Sequence, residues 1–467
     1  MSREKTLFKN TLIITIGKVC TQLITFFLLP LYTAILSTEE YGTVDLLNTL
    51  VSLLLPIVTF QVEQAVFRNL IDNRENEDAK RKIISTGIFS VILQCIVYIG
   101  IFFLISPFFE NQYKYFLATN VIAYIFASLT QQMARGLGKN THYAIGSFLS
   151  AFSTIIFNIL FLVVFKFGAY GMLMANMLGQ IICTIYNIFA LRLYKYVSIS
   201  EFKKSVLMKL WKYSLPLIPN AISWWVFSAS DRVIVSGILG VAQNGILSAA
   251  HKFASVFITL YNIFNLSWTE MVSLHIDDSD AKEFLNEMTN MMLRFFTAIG
   301  IGIIACMPFV YPLMIDNKFA DGYNQVPIMM IGSIFNVVVG LISTIYVAKK
   351  NTKAIANTSI VSAIINIVVN LCLIKFIGLY AASISTLTAY FVMSIYRLHD
   401  LKKKYFEIKI EKTFILSTVL VLIPILIAFY SNNMILYVIG LAIAIVYAYV
   451  INRKNIDKIF KMIFKRK

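Results

Sequence analysis

Long, continuous apolar stretches separated by short polar segments dominate this sequence. A helix needs roughly 20 apolar residues to cross a bilayer, and continuous rather than alternating apolar runs favour helices over membrane-spanning strands. The pattern therefore predicts an all-α integral membrane protein with about 14 transmembrane helices. The predicted spans are residues 10–36, 43–68, 83–106, 114–134, 142–166, 170–191, 211–238, 245–270, 286–315, 325–347, 354–376, 378–397, 413–431 and 433–451.

The composition agrees with a membrane protein. Hydrophobic residues make up 58% of the 467 residues and charged residues only 14%, whereas a soluble chain is typically about 45–50% apolar and about 25% charged. Each of the 5 cysteines falls inside a predicted helix, and no pair has the spacing of metal ligands. We therefore expect neither a metal nor another cofactor.

The net charge of +17 follows the predicted topology. Basic residues cluster in alternate loops and at both ends of the chain, whereas the opposite loops carry only Lys114, Lys166, Lys318 and Lys375. Because loops rich in Lys and Arg remain in the cytoplasm, we expect a multi-pass protein with both termini cytoplasmic. The charge thus requires no nucleic-acid partner.

Short segments recur in the same order along the chain, which indicates a duplication. A Lys-Asn-Thr triplet at 139–141 returns at 350–352, and a glycine turn at Gly168 returns at Gly378, 210 residues later. Two copies of six spans each would be parallel lobes related by an axis along the membrane normal. The expected divisions are an N-terminal six-helix lobe at 1–191, a basic cytoplasmic linker at 192–212, a C-terminal six-helix lobe at 213–397, and two additional helices with a basic tail at 398–467.

Four cations interrupt the apolar stretches: Lys18, Arg232, Lys252 and Arg294. A cation at mid-bilayer costs roughly 2.5–3.5 kcal/mol on insertion scales, so such residues usually face a wet cavity or an anion. Together they predict a cationic chamber that binds a negatively charged substrate. Each also has a structural alternative: Lys18 can snorkel to the interface, Arg232 and Lys252 can form ion pairs, and Arg294 lies on the amphipathic start of a helix.

Three acids within predicted spans are candidates for ion pairs or for a coupling proton or sodium ion: Asp45 and Glu63 in the second span and Asp231 in the seventh. Pro216 and Pro219 fall within one turn, and because each removes a helical hydrogen bond, they predict a kink or hinge. No catalytic constellation and no phosphate-binding loop of the P-loop type occurs. We therefore expect no enzymatic activity and no catalytic residues.

Several of these residues belong to motifs of a known family. The run Trp-Lys-Tyr-Ser-Leu-Pro-Leu-Ile-Pro-Asn at 211–220, followed by Ser230-Asp231-Arg232, resembles the start of the second lobe in bacterial polysaccharide flippases. Glu40-Tyr41-Gly42, Gly-Leu-Gly-Lys-Asn at 136–140 and Gly-Ala-Tyr-Gly at 168–171 are similar to the same family. These proteins export O-antigen, capsule and exopolysaccharide repeat units within the multidrug/oligosaccharidyl-lipid/polysaccharide superfamily.

The resemblance implies a V-shaped pair of six-helix lobes around a central cavity. It also implies transport of an undecaprenyl-diphosphate-linked oligosaccharide from the inner to the outer leaflet of the bacterial cytoplasmic membrane. Membrane lipids, and a polysaccharide polymerase and glycosyltransferases, would be partners of a monomeric protein. Aromatic and amide side chains are candidates to line the path of the sugar, with interfacial or packing roles as the alternative: Trp224, Trp225, Tyr261, Asn262, Asn265 and Trp268.

Other functions remain open at this point. A cation-coupled multidrug antiporter shares the superfamily, but it would favour acids in the chamber, whereas the first helix offers Lys18 and no carboxylate. A membrane polymerase of lipid-linked sugars would need longer outside loops than these. A scaffold for the synthesis machinery that does not itself transport is the third alternative.

Overall fold

The computed structural model describes residues 26–108, 111–349 and 351–464. Most of the first predicted span, including Lys18, lies outside the described residues. α-Helices make up nearly all of the described chain. They are α1 Leu29–Ile35, α2 Thr38–Val58, α3 Val62–Asp72, α4 Glu77–Ile105, α5 Lys114–Gly136, α6 Asn140–Asn158, α7 Gly168–Ala190, α8 Lys204–Ser214, α9 Ile218–Ile238, α10 Val241–His275, α11 Ala281–Met314, α12 Val326–Ala348, α13 Thr352–Ile377, α14 Tyr380–Lys404, α15 Lys412–Tyr430 and α16 Met434–Phe464.

Local sequence explains where several helices begin. Ser37 and Glu40 form a reciprocal capping box at the start of α2, because the Ser37 hydroxyl accepts from the Glu40 N–H and the Glu40 carboxylate accepts from the Ser37 N–H. Asn76 caps α4 and Asn351 caps α13 through their side-chain oxygens. These caps satisfy amides that would otherwise be unpaired at a helix start.

The described chain is that of a multi-pass membrane protein. Ten of its helical segments have the length and apolar composition needed to cross a bilayer. The more polar α5, α9 and α14 coincide with predicted spans but are not among those ten. The all-α membrane fold is thus confirmed, while the count of fourteen spans is not.

The chain divides into two compact units, unit 1 at Met1–Ala229 and unit 2 at Ser230–Lys467. In unit 1, α3 packs against α4, α5 and α8. The core there is built from aliphatic side chains such as Val62, Val66, Leu70 and Leu129, all almost fully buried. In unit 2, α12 packs against α10 and α14, and α13 packs against α14.

The stretch predicted as a linker, residues 192–212, packs onto unit 1. It contains two 3-10 turns and most of α8. The Ser85 hydroxyl donates to the Tyr196 carbonyl at 2.6 Å and accepts from the Ser198 N–H at 3.1 Å, while Thr86 accepts from the Lys203 N–H. These bonds fix the stretch against α4. The predicted division into two duplicated lobes remains a prediction.

The two turns that suggested the duplication share a backbone conformation. Gly168, the first residue of α7, and Gly378, between α13 and α14, both have φ of +57°, in the left-handed region that favours glycine. A side chain at Gly168 would also collide with Glu40, whose Oε1 lies 2.4 Å from the position of an added Cβ. The recurrence of glycine in the sequence thus has a conformational cause at both turns.

Candidate functional site

The motifs that resemble polysaccharide flippases meet one another in unit 1. The carboxylate of Glu40 reaches the start of α7, where the Ala169 N–H lies 3.4 Å from Oε1. Arg74 donates through Nε to the Gly136 carbonyl at 2.8 Å and through Nη2 to the Arg135 carbonyl at 3.1 Å. These contacts hold turns together, so the motifs that they involve position helices rather than supply chemistry.

Of the four predicted cations, Lys18 lies outside the described residues. Arg232 on α9 and Lys252 on α10 both belong to unit 2, and both side chains are partly buried. Each residue thus keeps some accessible surface, which is compatible with recognition of an anion. Both residues therefore remain candidates for binding a negatively charged substrate.

The fourth cation, Arg294 on α11, is already neutralised. It forms an ion pair with Glu411, the residue before α15, and its side chain is only 20% exposed. The Glu411 carboxylate thus supplies a negative partner for Arg294 within the protein itself. It also ties α11 to the start of α15.

Asp231 lies at the centre of a hydrogen-bonded set in unit 2. Its Oδ1 accepts from the Asn370 amide at 2.8 Å, and its Oδ2 accepts from the Thr386 hydroxyl at 2.6 Å. Asn366 donates to the Thr386 oxygen at 3.1 Å and accepts from the Ser230 hydroxyl at 3.3 Å. Residues from α9, α13 and α14 thus surround one carboxylate with neutral partners. Such an oxygen-rich set can hold a proton or a small cation.

The other two predicted acids lie in unit 1. Asp45 is partly buried on α2, and Glu63 in the first turn of α3 is only 2% exposed. The Glu63 carboxylate accepts from its own N–H and lies against the Thr59 hydroxyl, but its Oε2 has no hydrogen-bond partner among the described residues. A buried carboxylate oxygen that lacks a partner is unfavourable. The burial of Glu63 therefore needs a physical explanation, and the sequence alone does not contain one.

The predicted sugar-lining residues differ in accessibility. In unit 1, Trp224 is 54% exposed, whereas Trp225 donates its indole N–H to the Thr49 carbonyl at 2.9 Å and to the Ser52 hydroxyl at 3.1 Å. The Trp225 ring therefore fastens α9 to α2. Its orientation follows from this bond rather than from a ligand.

In unit 2, the remaining members of that set lie on α10. Tyr261 and Trp268 are 2% and 1% exposed, which leaves little of either side chain for a sugar to contact. The Tyr261 hydroxyl donates to Asn265 Oδ1 at 3.0 Å, while Asn262 is exposed. Burial thus matches the packing alternative for Tyr261 and Trp268 and leaves Asn262 and Asn265 accessible.

The predicted hinge coincides with an interruption of the helix. Pro216 lies in the 3-10 turn Leu215–Leu217 between α8 and α9, and Pro219 lies in the first turn of α9. Proline lacks the N–H that would continue the α-helical ladder, so the prolines explain why α8 ends here. Whether the turn bends during transport stays a prediction.

Sequence reasoning overlooked Arg397, which it treated as a basic residue of an inside loop. The side chain is 2% exposed. Its guanidinium donates to Thr358 Oγ1 at 2.8 and 2.9 Å and to Ser359 Oγ at 3.2 Å, and it also bonds Ser343 Oγ. These contacts join α12, α13 and α14 inside unit 2. The sequence did contain an indication of this burial, because Arg397 is the last residue of the predicted span 378–397.

The partners of Asp231 were also missed. Asn366, Asn370 and Thr386 are polar residues within apolar helices, and such residues are usually paired. No role was assigned to Asn370 from the sequence. The structure shows instead that it bonds Asp231 across 139 positions of the chain.

Comparisons with known proteins connect this architecture to a family. The family model for polysaccharide biosynthesis proteins matches residues 7–268. No curated protein matches the chain by sequence. The lipid II flippase MurJ, in an inward closed conformation, has a similar structure with a TM-score of 0.71 at 15% identity, covering 95% of this chain and 100% of that one.

A multidrug resistance MATE transporter of the MOP superfamily, in its inward-facing conformation, is also similar. Its TM-score is 0.64 at 11% identity, with 83% of this chain and 99% of that chain covered. Identities this low establish the fold alone. The fold is thus the all-α architecture shared by MurJ and MATE transporters, and since the family model spans more than half of the sequence, the chain belongs to the polysaccharide biosynthesis protein family.

Proposed function

We propose that this protein moves an undecaprenyl-diphosphate-linked oligosaccharide repeat unit from the inner to the outer leaflet of the bacterial cytoplasmic membrane, for surface polysaccharide biosynthesis. One observation carries the proposal: a polysaccharide biosynthesis family match over residues 7–268 in a chain whose fold is shared with a lipid II flippase. The repeat unit would become part of a surface polysaccharide such as O-antigen or capsule.

The cations supply the chemistry that such a substrate needs. A diphosphate is anionic, and Arg and Lys neutralise phosphate oxygens through charge-assisted hydrogen bonds. We assign this role to Lys18, Arg232 and Lys252, and we leave out Arg294 because Glu411 already neutralises it. Several separate cations would lower the barrier along the path without trapping the anion at one of them.

The membrane potential gives the transport a direction. The cytoplasm is electrically negative, so movement of a negative headgroup outwards is favourable by about 2.3 kcal/mol per charge per 100 mV. The Asp231 set offers a second source of energy, because a carboxylate held by neutral partners can exchange a proton or a cation during the cycle.

An export assay tests the cationic residues. Lys18→Gln, Arg232→Gln and Lys252→Gln should each reduce surface polysaccharide at equal protein levels, whereas Lys18→Arg and Lys252→Arg should retain more activity. Lys375→Gln, at an exposed cation on α13, is the matched control and should export normally. Normal export by all three Gln variants and by their triple combination would refute the cationic mechanism.

A second candidate function is cation-coupled multidrug efflux, which the likeness to a MATE transporter favours. Reconstituted protein separates the two functions. A flippase should translocate a diphosphate-linked oligosaccharide lipid in proteoliposomes and should not extrude a cationic dye. Dye efflux without lipid translocation would support the antiporter, and neither activity would support a scaffold.

Labelling of single cysteines tests the proposed orientation in the membrane. Ser198 and Asn317 are both exposed, so a cysteine at either position should be reachable from its own side. In a cysteine-free background in intact cells, an impermeant thiol reagent should label Asn317→Cys and not Ser198→Cys. The reverse result would place the termini and the 192–212 stretch outside.

A further inference from the structure

The helix pair α2–α3 is interrupted inside a predicted span. Phe60 and Gln61 have left-handed φ values of 50° and 59°, which non-glycine residues rarely adopt. The Gln61 N–H bonds the Thr59 hydroxyl at 3.1 Å, and the Val62 N–H bonds the Thr59 carbonyl at 3.0 Å. The carbonyls of Ile57 and Val58 are therefore released from the helical ladder. Such unwound segments in membrane proteins line cavities or coordinate ions.

Glu63 places a negative charge directly after this interruption. Its side chain is 2% exposed, and its Oε2 has no hydrogen-bond partner among the described residues. The nearby ion pairs Arg68–Asp72 and Lys80–Glu77 do not involve it. A buried carboxylate without a cation is unfavourable, and no ion pair with Glu63 occurs among the described residues.

The facing surface of α4 carries further polar atoms that lack partners. α3 and α4 approach most closely at Val66 and Gly87, where an added Cβ would lie 2.6 Å from Val66 Cγ2. The two helices are joined by the short segment 73–76 and therefore run antiparallel. Glu63 lies three residues before Val66, and Ser90 lies three residues after Gly87. In an antiparallel pair, these two residues are at the same level. Gln94 follows one turn later on the same face.

Both of these α4 residues are buried, Ser90 at 3% and Gln94 at 8% exposure. The Ser90 hydroxyl and both polar atoms of the Gln94 amide have no partner among the described residues. By helix register, the Glu63 carboxylate and the two released carbonyls thus lie at levels close to those of the Ser90 hydroxyl and the Gln94 amide oxygen on the facing surface of α4. Hard cations prefer this kind of all-oxygen surrounding.

We propose that the interruption between α2 and α3 binds one sodium ion, with Glu63, Ser90, Gln94 and the released carbonyls as its oxygen ligands. This site is distinct from the Asp231 set, because its residues all belong to unit 1 and those of the Asp231 set to unit 2. Its use as a coupling ion rests on the proposed flippase function, whereas binding itself does not.

Thermal unfolding of the purified full-length protein in detergent tests the site. The Asp231→Asn background removes the carboxylate of unit 2, and Na⁺ is exchanged for K⁺ or choline at constant ionic strength and pH. A ligand that binds only the folded state raises the unfolding midpoint by mass action. We expect a saturable rise with Na⁺, loss of that rise in Glu63→Gln, and a roughly tenfold higher half-saturating concentration in Ser90→Ala or Gln94→Met.

Glu75→Gln, at an exposed acid between α3 and α4, is the matched control and should keep the full response. Equal midpoints in Na⁺, K⁺ and choline would overturn the proposal, as would an unchanged response in Glu63→Gln. A midpoint that changes with pH but not with Na⁺ would show a protonated carboxyl and would also reject the sodium site. Should Glu63→Gln not fold, Ser90→Ala and Gln94→Met decide the result. Because the measurement needs no lipid substrate, failure of the flippase proposal would not affect it.

Discussion

Glu63 in unit 1 and Asp231 in unit 2 are both carboxylates within apolar helices, but they differ in the hydrogen bonds that neighbouring side chains donate to them. Asp231 accepts hydrogen bonds from Asn370 at 2.8 Å and Thr386 at 2.6 Å. Glu63 Oε2 accepts none from the described residues, although Ser90 and Gln94 are buried at the same level of the neighbouring helix. The sequence assigned the same set of possible roles to both acids.

The difference lies in what the packed helices offer. α13 and α14 present donors that already bond both oxygens of the Asp231 carboxylate. At Glu63, α4 presents polar atoms that remain unbonded, and the backbone itself releases carbonyls. A completed set stabilises the fold, whereas an uncompleted one is where an external cation lowers the free energy.

Removal of the Asp231 carboxylate should have the largest effect on stability. In Asp231→Leu, the Asn370 amide and the Thr386 hydroxyl lose their acceptor, and each buried unsatisfied group costs about 1–3 kcal/mol. We expect the free energy of unfolding, from denaturant titration in detergent micelles, to fall by about 2–5 kcal/mol. Asp280→Leu, at an exposed acid whose side chain makes no capping bond, should stay within about 0.5 kcal/mol. Equal losses in both variants would mean that the set adds nothing to stability.

A smaller effect should distinguish bonded from unbonded hydroxyls. Thr386→Val keeps the shape of the side chain but removes the 2.6 Å bond to Asp231, and bonds to charged groups contribute about 1.5–3 kcal/mol. Ser90→Ala removes a buried hydroxyl without a partner among the described residues, so no hydrogen bond is lost and the free energy of unfolding in Na⁺-free buffer should not fall. If Ser90→Ala lowered the free energy of unfolding as much as Thr386→Val, the proposed difference between the Glu63 and Asp231 sites would be wrong.

The smallest effect should have the opposite sign. Glu63→Met retains the length of the side chain and removes an uncompensated charge, and exchanges of this kind are often neutral or stabilising. In Na⁺-free buffer we expect the free energy of unfolding to rise by about 1 kcal/mol, measured beside Glu75→Met at an exposed acid. Destabilisation by several kcal/mol in Na⁺-free buffer would indicate that Glu63 has an internal partner.

For the cations, too, the sequence does not reveal which residues they contact. Arg294 and Arg232 were grouped because both interrupt apolar stretches, but Arg294 pairs with Glu411, which lies 117 positions away. Arg397 was not singled out in the sequence, yet it is buried among hydroxyls of α12 and α13. A charge in an apolar helix is visible in the sequence, while its partner is not.

The sequence by itself determined the all-α membrane fold, because apolar runs of bilayer length and loop charges depend only on local composition. It also located Pro216, Gly168 and Gly378, whose backbone restrictions act at single positions. The tertiary structure alone decided which polar groups are satisfied. Hydrogen bonds such as those from Asn370 and Thr386 to Asp231 join residues more than a hundred positions apart, and only helix packing brings such residues within the roughly 3 Å that a hydrogen bond requires.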